Sequence, residues 1–76
     1  MKKAQRLKNE GNEQFKIGKY DEAISHYNSA IEACPKENTE ALATFYQNRA
    51  AAYEQLVINY SQMFYSNDIW QDKLFV

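Results

Sequence analysis

Apolar residues recur along the chain at spacings of three and four, the period of a helix face, in three stretches parted by two breaks. In the first, from Ala4 to Ile17, residues Ala4, Leu7 and Phe15 stand among charged and amide side chains, which predicts an amphipathic helix stopped by Gly18. The second carries the strongest stripe, with Ala23, Ile24, Tyr27, Ala30 and Ile31 behind an acidic first turn of Asp21 and Glu22, and predicts a helix from Tyr20 to Ala33. Pro35 ends it, since proline has no N–H for the helical ladder and pushes the preceding residue out of helical geometry. The connector PKENTE offers Asn38 or Thr39 as an N-cap. Glu40 to Leu56, rich in Ala, Leu, Gln and Glu without Gly or Pro, predicts a third helix. Its positions Leu42, Phe45, Tyr46, Ala50, Tyr53 and Leu56 span an arc wide enough to need partners on more than one side.

After Leu56 the pattern changes. VINYSQMFYSNDIWQDKLFV is rich in β-branched and aromatic residues, with a break signal at Ser66, Asn67 and Asp68. It predicts that the third helix continues to about Tyr65 and is followed by one short helical turn, against a mild adverse propensity. The chain thus reads as all-α: an antiparallel helix hairpin plus a long third helix with a divergent C-terminal tail, divided at residues 1–56 and 57–76.

Composition narrows the function classes. A net charge of -1, with the early lysines and arginine balanced by acids from Glu10 onward, gives no nucleic-acid footprint. No stretch approaches the roughly 20 apolar residues of a membrane span, so no span is expected in this chain. The N-terminal ten residues, MKKAQRLKNE, lack the apolar core of a secretory signal. One cysteine, Cys34, allows neither an intrachain disulfide nor a thiol pair, and one histidine, His26, cannot build an imidazole cluster or a catalytic dyad. Cys34 sits at a helix end near carbonyl groups rather than beside a base or a cation, which suits a structural thiol. No metal, cofactor or catalytic constellation is expected, and the chain reads as a non-enzyme.

The line GNEQFKIGKYDEAISHYNSAIEACP resembles the tetratricopeptide repeat, with Gly11, Gly18, Tyr20, Ala23, Ile24, Tyr27, Ala30 and Pro35 at that family's spacing. Small residues at Gly11, Ala23 and Ala30 let helices approach, and Tyr20 and Tyr27 fill the space between them. Glu10 and Gln14 depart from the family pattern, which has apolar residues there. ALATFYQNRAAAYEQL is similar to the first helix of a second repeat, with Ala50 in the place of Gly11 and a spacing about five residues longer than the roughly 34-residue period. That elongation resembles the import-receptor members of the mitochondrial outer membrane. The resemblance runs from Ala4 to Leu56 and fails in the tail.

The resemblance implies a site. In related adaptors a carboxylate clamp binds the acidic C-terminal tails of heat-shock chaperones, and Lys8, Asn12 and Asn48 match its positions here. Lys8 and Asn12, four residues apart, share a helix face. A Lys ammonium and Asn amides suit the two terminal carboxylates of such a peptide, which need cationic and neutral donors on a rigid surface. The family's clamp also uses a Lys and an Arg from a third repeat, which this chain does not reach, so weak binding or none is expected. The tail aromatics Tyr60, Phe64, Tyr65, Trp70 and Phe75 are expected to make core or subunit contacts. An uncovered third helix implies either a tail folded back on it or a homodimer, possible by exchange of the third helix; the homodimer is the leading expectation. The resemblance further implies mitochondrial precursor proteins as cargo and the cytosolic face of the outer membrane as location for full-length relatives, this chain alone being soluble and cytoplasmic. A cytosolic co-chaperone fragment, or a structural self-association module without peptide binding, are the alternatives.

Overall fold

The computed structural model describes residues 1–66, with side chains to residue 60. Three helices follow one another: α1, Lys2–Lys16; α2, Tyr20–Ala33; and α3, Thr39–Ser66. No strand occurs among the described residues, and the fold is all-α. No helix there is long and apolar enough to cross a membrane. The short turn expected after Ser66, with Trp70 and Phe75, lies outside the described residues.

Each boundary has a local cause. At the end of α1 the Gly18 N–H donates to the Phe15 carbonyl and the Lys19 N–H to the Gln14 carbonyl, at 3.1 and 2.9 Å. This Schellman arrangement satisfies two orphan carbonyls and needs a left-handed residue, which Gly18 supplies at φ 83°. Phe15 and Tyr20 meet edge to face across the turn, ring centroids 5.1 Å apart. Asp21 and Glu22 place negative charge at the start of α2, where the helix dipole favours it. Cys34, extended at ψ 132° before Pro35, closes α2. At the start of α3, of the two candidate caps, Asn38 acts: its Oδ1 accepts from the Ala41 N–H at 3.1 Å.

Helix α2 is the centre of the structure, packed against α1 on one side and α3 on the other, while α1 and α3 barely touch. Ala4 of α1, Ala30 and Cys34 at the end of α2, and Phe45 of α3 form one core cluster, flanked by Leu7, Ile31 and Leu42. Ala23, Ile24 and Tyr27 of α2 close on Ala52 of α3 in a second, flanked by Phe15 and Leu56. Phe45 and Tyr27 are the largest enclosed side chains. The two departures from the family pattern have different outcomes. Glu10 is exposed, 3.9 Å from Arg6 and 3.8 Å from His26. Gln14 carries a buried Oε1 with no donor among the described residues, which costs about 1–3 kcal/mol.

Helix α1 comes closest to α2 at Gly11. A Cβ there would stand 2.6 Å from Tyr27 Cε1 and 3.2 Å from the Ala23 carbonyl oxygen, so ring and backbone would both have to give way. Gly11→Ala should therefore lower unfolding stability by about 1–3 kcal/mol in urea, although alanine is the better helix former. An unchanged or raised urea midpoint would show that the hairpin yields at this joint.

Candidate functional site

The three sequence-predicted residues lie where α1 and α3 flank α2. Asn12, one turn after Lys8 on α1, is half-buried, and Asn48 on α3 is half-buried beside it. Asn12 Oδ1 accepts from the Tyr27 hydroxyl at 2.5 Å and from Asn48 Nδ2 at 3.5 Å. The longer of these is at the limit of a hydrogen bond. Asn12 and Asn48, 36 positions apart in sequence, thus meet side chain to side chain. Lys8 makes no hydrogen bond to either amide among the described residues. It instead lines a cavity of about 210 Å³ with Gln5, Asn38, Glu40 and Thr44, floored by Phe45.

Tyr27 explains the arrangement and was read from sequence only as a space-filling residue. Its ring is enclosed, 2% exposed, against Gly11, and its hydroxyl emerges at Asn12 one position further along α1. A buried tyrosine needs a partner for its hydroxyl. The signal in the sequence was the neighbouring pair Gly11 and Asn12, one residue admitting the ring and the next receiving the hydroxyl. Because Asn12 Oδ1 is taken twice, its amide Nδ2 is the end left to donate, with no acceptor among the described residues. Lys8 forms no ion pair among the described residues. The Asn12 amide, oriented by the Tyr27 hydroxyl, with Asn48 beside it and a lysine one turn away, forms a donor surface suited to an anion.

Arg49 is a second residue whose part was not legible. Its Nη1 donates to Asn28 Oδ1 at 2.8 Å, tying α3 to α2, and its guanidinium lies 4.9 Å from the Tyr46 ring centroid. His26 stays at the α1–α2 surface near Glu10. Cys34 is buried, with its Sγ directed to the Pro35 carbonyl at 3.4 Å. No group of His, Cys, Asp or Glu with metal-holding geometry occurs among the described residues.

Burial raises the Tyr27 pKa above its usual value of 10.0, because the phenolate would lose its water. The sign follows: a folded-state pKa above the unfolded one means that the stabilisation is fully present below about pH 10 and is lost as pH rises through the folded value. A phenolate also cannot donate to Asn12. Thermal melts between pH 8 and 11 should show a steeper alkaline loss for the natural chain than for Tyr27→Phe; parallel curves would remove Tyr27 from the alkaline transition.

Comparison with known proteins places these features. The tetratricopeptide repeat model matches residues 4–37. The mitochondrial import receptor subunit TOM70 of Rattus norvegicus is 59% identical over 54 residues, covering 71% of this chain and 9% of the relative. The Hsp70-Hsp90 organizing protein of Triticum aestivum is 49% identical over 55 residues, 72% of this chain and 9% of the relative. Protein unc-45 homolog B of Danio rerio is 49% identical over 47 residues, 62% and 5%. The chain therefore spans less than a tenth of the length of these relatives. No solved structure matches it significantly.

Proposed function

Because residues 4–37 of the chain belong to the tetratricopeptide repeat family, we propose that this protein-interaction module offers Lys8, Asn12 and Asn48 as part of a clamp for a peptide carboxylate. Residues 1–56 are one repeat and the first helix of a second, and residues 57–76 are a divergent tail. The observation that carries the reading is the Asn12–Asn48 contact, anchored from beneath by the Tyr27 hydroxyl. An anion at this surface meets amide donors already held in place, and Lys8 supplies the charge. The ligand class is the acidic C-terminal tail of a heat-shock chaperone, in keeping with the chaperone names in the organizing-protein relative. The full-length setting, from similarity to the import receptor subunit, is the cytosolic face of the mitochondrial outer membrane, with precursor proteins as cargo; this chain by itself is soluble.

Three clamp positions are fewer than the family uses. Hydrogen bonds to charged groups contribute about 1.5–3 kcal/mol each, so a peptide held by these three positions without two further cationic donors binds several orders of magnitude more weakly. A fluorescence titration of these 76 residues with a peptide ending in Glu-Glu-Val-Asp should therefore show millimolar binding at best, weakened further in Asn12→Ala. Micromolar affinity would sink this account of the site.

Self-association is the second part of the reading, favoured by the state of α3. Tyr46 and Tyr53 are 47% and 48% exposed, and Val57 and Tyr60 are 60% and 59% exposed. An apolar helical face of this extent marks an interaction surface. A homodimer is expected, with a doubled mass in light scattering at high micromolar concentration; a monomer throughout that range would refute it.

A further inference from the structure

We propose that two copies of the chain pair through α3, parallel and in register, as a short two-stranded coil; the pairing rests on the self-association proposed above. Ala43, Tyr46, Ala50, Tyr53, Val57 and Tyr60 follow one another at alternating steps of three and four, and all six are exposed. Alternation of this kind keeps a 3.5-residue period, which holds one seam of a helix against a partner along its length and winds the two left-handed. Ala43, Ala50 and Val57 occupy one core position of the repeat, and the three tyrosines occupy the other. The seam is separate from the face α3 already uses, since Phe45 and Ala52, which pack on α2, are fully enclosed.

A second copy is the occupant that fits. The seam repeats one set of residues with no gap, so a symmetry-related seam meets it layer by layer: alanine layers let the helices approach, and tyrosine layers fill the space between. Aromatic side chains bury about 150–250 Å² each, so three tyrosines about half exposed contribute on the order of 300 Å² per copy, to which Ala43, Ala50 and Val57 add. Flanking Gln47, Arg49 and Glu54 bring this toward the roughly 800 Å² per partner of a standard specific interface.

Charge decides the direction. Arg49 and Glu54 stand on opposite edges of the seam, five residues apart. In a parallel, in-register pair each edge residue faces the partner's opposite edge five positions on, so Arg49 of each chain meets Glu54 of the other, twice by symmetry. An antiparallel pair sets each edge against its like and loses both ion pairs. Arg49 is already held at that edge by Asn28 and the Tyr46 ring through part of its guanidinium, and Glu54 has no ion pair among the described residues.

Cysteine cross-linking reads the direction and light scattering reads the association. With Cys34 replaced by Ala, Ala43→Cys and Val57→Cys should each form a disulfide-linked dimer with itself under mild oxidation. In any antiparallel pair at most one of them can do so. A monomeric mass with no cross-link overturns self-association itself; a dimeric mass in which Ala43→Cys links only to Val57→Cys overturns the parallel pairing alone. Ala50→Glu, at a position exposed in the single chain, should weaken the dimer at least tenfold while the helical circular dichroism persists. A dimer indifferent to that charge would remove the seam from the interface.

Discussion

The contact on which the rest depends is the ring of Tyr27 lying on Gly11. It fixes how closely α1 and α2 approach, because any side chain at position 11 would occupy the space of the ring. It also sets the polar surface, because a ring held at that depth delivers its hydroxyl to Asn12 and nowhere else. The aromatic that closes the hairpin thereby orients the amide that faces outward. One residue couples core packing to the candidate site, so a disturbance of the joint reaches Asn12 and, through it, Asn48.

Helix α3 is the shared element. Through Phe45 and Ala52 it completes the cover over α2, through Asn48 it contributes to the donor surface, and through Tyr46, Ala50, Tyr53 and Val57 it presents apolar side chains to water. The contrast between Ala52, enclosed, and Ala50, exposed, makes the point at single-residue scale. Both are small residues of one helix turn. In the sequence reading Ala50 takes the place that Gly11 holds in the first repeat, but where Gly11 meets the tyrosine of its own hairpin, no helix lies over Ala50 among the described residues.

Much of this was legible in the sequence for physical reasons. Pro35 and Gly18 act locally, so the ends of α1 and α2 follow from one or two residues; the first helix begins two residues earlier than its first apolar position because Lys2 and Lys3 are good helix formers that the apolar pattern does not register. Asn38 and Thr39 are both competent caps, and only the geometry of the connector chose between them. The meeting of Asn12 with Asn48 was implied by resemblance alone, since no periodicity links residues on different helices. The Tyr27 hydroxyl and the Arg49 bridge to Asn28 went unread because each is a polar end on a side chain whose apolar or stacking body accounts for its position.

The separation of surfaces on α3 has a consequence for binding. At about 100° per residue, Asn48 lies two positions from both Tyr46 and Ala50, which puts it on nearly the opposite side of the helix from the seam. Pairing through the seam would therefore leave the donor surface open, and a parallel pair would present two such surfaces at the same height, facing away from each other. A partner carrying two acidic tails would engage the second surface at the effective concentration set by its linker rather than at its bulk concentration. On the reading proposed above, such a pair would gain affinity by multiplicity, and only with tails long enough to pass around both copies of α3.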